Sequence, residues 1–128
     1  MTDLNFEDII GRYFNLNLKK DNYRIYVEEA GQGTPLLCLH TAGSDGRQFR
    51  HILNDKRITN NYRVIVFDLP WHGKSNPPEG YELKDYKLTT NLYKEIIMSF
   101  CKQYKLIDPV IMGCSMGGRV VLHLALEH

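Results

Sequence analysis

Val110-Ile111-Met112-Gly113-Cys114-Ser115-Met116-Gly117-Gly118 runs a β-branched strand straight into a Gly-x-Ser-x-Gly and on into the apolar stretch Val120-Val121-Leu122-His123-Leu124-Ala125-Leu126. A strand-to-helix turn this tight leaves no room for bulk beside the serine, which accounts for the glycines two before (Gly113) and two after it (Gly117). It predicts that Ser115 stands exposed at the strand's end. A helix starting at Met116 would aim its first amides and the positive end of its dipole at the same point, where an attacked carbonyl develops negative charge. Nucleophile and charge stabiliser are thus expected from one turn. A phosphate-binding loop fits less well, because Gly113-Cys114-Ser115-Met116-Gly117-Gly118 lacks a Gly-Lys-Ser/Thr ending and is not Gly-x-Gly-x-x-Gly.

Working outward, Leu36-Leu37-Cys38-Leu39 and Val64-Ile65-Val66-Phe67 are continuous apolar runs of the kind found in parallel strands buried on both faces. Between them a helix is expected, capped by Ser44 or Asp45, with Phe49, Ile52 and Leu53 on one apolar face. A second helix is predicted from about Asp85 to Tyr104, where Leu88, Leu92, Ile96, Phe100 and Tyr104 recur every four residues and Tyr93, Ile97 and Cys101 widen the stripe. Upstream, alternating stretches near Arg12 to Lys19 and Tyr23 to Glu29 read as an antiparallel hairpin, followed by a turn at Gly31 to Pro35. Strand, helix, strand, helix, strand, helix from Pro35 onward is the pattern of right-handed parallel crossovers. The expected fold is α/β, a mostly parallel sheet with flanking helices, in one domain over residues 1–128.

Composition narrows the function. With 128 residues, 43% hydrophobic and 24% charged, the chain has the balance of an ordinary globular domain. A net charge of +1, with lysines and arginines scattered, offers no basic stripe for nucleic acid. No apolar run approaches the roughly 20 residues of a membrane span, and the acidic start Met1 to Asp8 does not read as a signal peptide. Three unpaired-looking cysteines, Cys38, Cys101 and Cys114, suit a reducing compartment, so a cytoplasmic location is expected. Cys114, beside the serine, is expected to pack inward as a small hydrophobe. No metal or cofactor is implied, and the expected partner is a small-molecule substrate.

Taken together, three segments resemble the N-terminal half of the α/β-hydrolase fold family, and the likeness covers nearly the whole chain. Leu39-His40-Thr41-Ala42-Gly43 is similar to the His-Gly-x motif after the family's third strand. Asp68-Leu69-Pro70-Trp71-His72-Gly73-Lys74-Ser75 is similar to the Asp-x-x-Gly-x-Gly-x-Ser loop after the fourth, and Gly113 to Gly118 is the elbow after the fifth. Thr41 and Trp71 each stand where the family pattern has glycine. The resemblance implies a serine hydrolase in which Ser115 attacks an ester, thioester or carbon–carbon-bond substrate through an acyl-enzyme. The Met116 and Ala42 amides would form the oxyanion hole. It also implies structural rather than catalytic roles for His40, His72 and Asp68. Members that open epoxides or cleave carbon–halogen bonds carry a carboxylate at the elbow, so Ser115 argues against both chemistries.

A serine nucleophile needs a base and an acid that orients it, and in this fold they follow the serine. Only His123, Glu127 and His128 follow Ser115. On a regular helix His123 lies about 12 Å along the axis from the serine, out of reach. The expectation is therefore a domain cut short after the elbow helix. A truncated chain, a split gene product and a partly recorded chain all fit, and the final Leu-Glu-His fits either native sequence or a tag remnant. Self-association through the open fifth strand, or pairing with a complementing C-terminal half, follows as an expectation. The alternatives to an enzyme are a non-catalytic ligand-binding protein of this fold and one half of a two-chain assembly.

Overall fold

The computed structural model describes residues 3–83 and 87–128. Its first two strands, β1 (Ile10–Leu18) and β2 (Asp21–Ala30), form an antiparallel hairpin in register from Ile10 opposite Glu29 to Leu18 opposite Asp21. The two-residue turn carries Lys19 at φ 56, a conformation for which the Lys-Lys sequence gives no signal. Leu16 and Leu18 on β1, and Tyr23, Ile25 and Val27 on β2, alternate inward with a period of two.

β3 (Thr34–Leu39) and β4 (Tyr62–Phe67) pair in parallel, and each buries four consecutive residues, Leu36–Leu39 and Val64–Phe67. Alternate residues serve opposite layers. Leu37, Leu39, Ile65 and Phe67 face a core shared with the long helix α3 (Thr90–Gln103) and with α4 (Met116–Glu127). Leu36, Cys38, Val64 and Val66 face Phe49 and Leu53 on the other side. The sheet order is β1-β2-β4-β3-β5, with only β2 running against the rest.

The helix expected between β3 and β4 is instead a 3-10 turn (Gly46–Phe49) leading into α1 (Arg50–Leu53), followed by the separate single turn α2 (Lys56–Thr59). Asp45 caps the first of these by accepting from the Arg47 amide, and Asp55 caps α2 by accepting from Arg57. The second cap opens a further turn beyond the Phe49, Ile52 and Leu53 stripe on which the expected helix rests. Helix α3 starts at Thr90, later than expected, because the Thr89 hydroxyl accepts from the Leu92 amide at 3.1 Å and fixes the N-terminus there. Asp85, the expected start, lies outside the described residues. Half of the predicted stripe is buried, Tyr93, Ile96, Ile97 and Phe100 at 1% exposure or less, while Leu92, Cys101 and Tyr104 are only partly buried against the same core and Leu88 lies before the helix.

The last strand, β5 (Val110–Gly113), pairs with β3 from Leu36 opposite Val110 to Leu39 opposite Gly113, and forms one edge of the sheet. Val110 and Met112 share the sheet face of Leu36 and Cys38 but are exposed. Helix α4 likewise leaves Leu122 and Leu126 exposed. Among the described residues no helix is long and apolar enough to cross a membrane.

Candidate active site

Three close approaches build the turn after β5. The Cys114 amide donates to the Leu39 carbonyl at 3.1 Å, extending the β3–β5 ladder by one bond beyond Gly113. Helix α4 then folds back so tightly that a Cβ on Gly113 would meet the Gly117 carbonyl carbon at 2.4 Å. A Cβ on Gly117 would meet the Leu39 carbonyl oxygen at 2.5 Å. Both contacts are backbone, so neither position accepts a side chain without moving the helix.

Between them Ser115 adopts φ 52 and ψ −109, a conformation ordinarily left to glycine, and is exposed. Its side chain does not cap the helix it opens. The Gly117 amide donates to the Cys114 carbonyl at 2.9 Å, whereas Met116, as first residue of α4, has an amide that no intrahelical carbonyl reaches. The positive end of the helix dipole lies at the same spot.

Ala42 belongs to the loop after β3, and its orientation follows from the groups around Thr41. The Thr41 carbonyl lies 2.8 Å from His40 Nδ1 and accepts from the Ser44 amide at 3.3 Å. In a planar trans peptide the following N–H points opposite to that carbonyl, so the Ala42 amide is turned away from these donors. His40 is fully buried, and its Nε2 accepts from the Leu69 amide at 3.0 Å, which places the proton on Nδ1. Burial holds its pKa below the ordinary histidine value and keeps the ring neutral. Thr41 does not take a positive φ, so a residue other than glycine sits there without left-handed strain; the turn is made at Gly43, φ 70.

Leu39 and Gly113 are paired, so Ala42 and Ser115 lie just past adjacent strand ends. From there the chain turns to opposite faces of the sheet, into the α1 side after β3 and into α4 after β5. That is the crevice at which ligands bind in open α/β sheets.

The loop after β4 braces this crevice. Asp68, buried, accepts from the Gly46 amide at 2.7 Å and the Lys74 amide at 2.9 Å, tying its own loop to the loop after β3. Ser75 donates to the Asp68 carbonyl and accepts from the Tyr26 amide, so the motif's last residue fastens the loop to β2. The His72 ring, 5.1 Å from that of His40, contacts the Pro70 carbonyl at 3.0 Å. Asp68, His40 and His72 are thus engaged in holding backbone.

Two supports escaped sequence reasoning. Gln48 accepts from the Thr41 amide at 3.0 Å, and the Tyr93 hydroxyl reaches the His40 carbonyl at 3.3 Å. Tyr93 carries one of the two hydroxyls on a mainly apolar stripe, a signal that was there to be read; Gln48 gives none.

Cys114 corrects an expectation: it is exposed rather than packed inward, because it continues the sheet face of Val110 and Met112, which is likewise exposed. Cys38 and Cys101 are different, since burial pushes their thiols up to about 12 and about 11. His123 faces Glu127 at 3.9 Å on α4, away from the turn. Among the described residues no group of histidines, cysteines and carboxylates is arranged to hold a metal ion.

Residues 34–128 match the model of the alpha/beta hydrolase fold family, and the chain belongs to that family. It is 33% identical over 95 residues to a magnesium-chelatase 30 kDa subunit of Rhodobacter capsulatus, covering 74% of this chain and 31% of that protein. It is 35% identical over 104 residues to a pimeloyl-[acyl-carrier protein] methyl ester esterase of Aeromonas hydrophila, covering 81% and 37%. A solved structure of a putative epoxide hydrolase from Pseudomonas aeruginosa superposes with a TM-score of 0.74 at 24% identity, over 92% of this chain and 37% of the other, a likeness of fold. The chain spans about a third of the length of the proteins it matches.

Proposed function

We propose that Ser115 is the nucleophile of a serine hydrolase acting on a carbonyl substrate, either an ester, a thioester or a carbon–carbon bond beside a carbonyl. The observation that carries this reading is an exposed serine held at φ 52, ψ −109 between β5 and α4. Strain of this kind costs on the order of 1 to 3 kcal/mol and persists where it serves a function.

In the reaction, Ser115 Oγ attacks the carbonyl carbon as its proton passes to a base. The oxygen's negative charge falls between the Met116 and Ala42 amides, each worth about 3 to 4 kcal/mol at such sites. Collapse expels the leaving group, which takes the proton, and leaves an ester on Ser115; water then attacks that ester and frees the acid and the serine. No cofactor takes part. The base and the acid that orients it come from polypeptide outside residues 1–128, since the His40 ring is committed to Thr41 and Leu69 and His123 sits two turns down α4. The free cysteines support placing the protein in the cytoplasm.

The esterase relative favours an oxygen ester. Epoxide opening, the activity suggested for the structural neighbour from Pseudomonas aeruginosa, is disfavoured because that chemistry uses a carboxylate where Ser115 stands. A second reading, a ligand-binding protein of this fold without hydrolysis, is favoured by the relative named as a chelatase subunit. Acid-quenched mass spectrometry separates the two: the complete natural protein, mixed with p-nitrophenyl acetate, should carry an acetyl group on the peptide containing Ser115, and Ser115→Ala should not. A folded protein that never acquires the adduct supports the binding reading instead.

A further inference from the structure

β3 ends at Leu39, whose carbonyl still accepts from the Cys114 amide at 3.1 Å, and the next two peptide units leave the ladder. In the unit joining His40 to Thr41, the carbonyl accepts from the Tyr93 hydroxyl at 3.3 Å and the N–H donates to Gln48 Oε1 at 3.0 Å. These partners come from opposite layers. Tyr93 is on α3, which packs with Leu37 and Leu39 on one face of the sheet. Gln48 is on the 3-10 turn whose Phe49 packs with Leu36 and Cys38 on the other. A planar trans peptide points its carbonyl and its N–H in opposite directions, so one unit turned across the sheet satisfies both. It is pinned at both ends.

The unit joining Thr41 to Ala42 is pinned at its carbonyl, which accepts from His40 Nδ1 at 2.8 Å and from the Ser44 amide at 3.3 Å. Its N–H, that of Ala42, meets no acceptor among the described residues, and Ala42 is exposed. The two units meet at the Thr41 Cα, so the plane of the first helps set the direction of the second. Threonine narrows that joint further than the glycine of the resembled pattern would.

We propose that Gln48 and Tyr93 are positioning residues for the reaction: by fixing the peptide unit before Thr41 they aim the Ala42 amide at the oxyanion. The purpose of that aim rests on the oxyanion role proposed for Ala42. The pinning itself rests on the bonds alone. The two side chains differ in what else they support. Tyr93 is buried, so Tyr93→Phe leaves the His40 carbonyl short of a partner and also costs stability. Gln48 is exposed, so in Gln48→Leu water replaces the carboxamide at the Thr41 amide; the fold is kept and the plane is released.

Gln48→Leu is therefore the main test, made in the complete natural protein with p-nitrophenyl acetate as the probe. It should lower kcat about tenfold and leave KM within about twofold, because a misaimed amide forfeits part of the roughly 100-fold that losing a donor costs. Tyr93→Phe should act in the same direction. Amide exchange read by NMR checks the pinning without substrate. The Thr41 N–H should exchange about tenfold faster in Gln48→Leu than in the parent and stay slow in Gln48→Glu, which keeps an acceptor. Arg50→Gln, two residues along and outside these bonds, should match the parent in both assays. Parental kcat in folded Gln48→Leu and Tyr93→Phe, a change in KM alone, or Thr41 exchange that Gln48→Leu leaves unaltered overturns the proposal. Acylation of Ser115 with parental kcat in both variants fails the positioning alone. A folded parent never acylated at Ser115 fails the hydrolase reading and takes the catalytic purpose with it, while Thr41 exchange still shows whether the unit is pinned.

Discussion

Gly117→Ala should cost far more stability than its size suggests. The added Cβ would lie 2.5 Å from the Leu39 carbonyl oxygen and 3.0 Å from the Leu39 carbonyl carbon and Cβ, so α4 must withdraw from β3 by at least half an ångström. That oxygen also accepts the Cys114 amide at 3.1 Å, the last bond of the β3–β5 ladder, and the withdrawal pulls on it. Overpacking of a rigid contact costs about 1 to 3 kcal/mol and a weakened hydrogen bond about 1 more, against at most about 1 regained from alanine's helix propensity. The net expectation is a loss of about 1 to 3 kcal/mol, or roughly 4 to 12 °C in Tm for a domain of this size. Gly118→Ala is the control one residue on. Its Cβ would approach the Gly113 carbonyl oxygen at 3.2 Å, a squeeze that a small shift relieves, so propensity and packing should cancel to within about 1 kcal/mol. Urea unfolding of both variants, with unchanged m-values, gives the comparison. Equal stabilities for Gly117→Ala and the parent would refute the close approach of α4 to β3 on which the site is built.

Further outcomes follow from the same geometry. Ser115→Gly should be more stable than Ser115→Ala by about 1 kcal/mol, because glycine accepts φ 52 and ψ −109; thermal unfolding of the pair decides, and equality would mean that the turn is unstrained. Burial keeps His40 neutral in the folded state below its ordinary pKa of 6.5, while the unfolded chain takes up a proton there. Its contribution is therefore complete above about pH 6.5 and is lost as pH falls, at up to about 1.4 kcal/mol per pH unit. Urea midpoints between pH 7.5 and 5.5 should show this slope and His40→Gln should flatten it; a slope that persists would assign it elsewhere. We also propose that the isolated 128-residue chain self-associates through β5, where Val110 and Met112 lie exposed on an edge strand. Size-exclusion chromatography with light scattering should show species larger than a monomer, and Met112→Lys should shift them toward monomer; a monomeric parent would end that proposal.

What the sequence disclosed and what it withheld divide along physical lines. Continuous apolar runs marked β3 and β4 because strands buried on both faces have no polar side, and Leu36–Leu39 and Val64–Phe67 are buried throughout. The elbow was legible because its glycines answer to backbone contacts of 2.4 and 2.5 Å that exclude any other residue. Helix boundaries were less so: a side-chain cap decides where α3 begins, and Asp55 caps a separate turn, α2, that no apolar stripe marked. The inward expectation for Cys114 failed because burial there depends on what flanks β5, which no local pattern encodes. The bracing of Thr41 by Gln48 was invisible for a similar reason, since that bond depends on how a loop closes in space, whereas the structural role of His40 was already implied by the family resemblance.

The central claim is that Ser115 is a nucleophile, and an active-site-directed fluorophosphonate tests it most directly. The complete natural protein should be labelled with the exposed Cys114 blocked beforehand, and the modified peptide then sequenced. The account predicts phosphonylation of Ser115, abolished by Ser115→Ala with folding nearly unchanged. A folded protein labelled at any other residue, or not labelled at all, would contradict it.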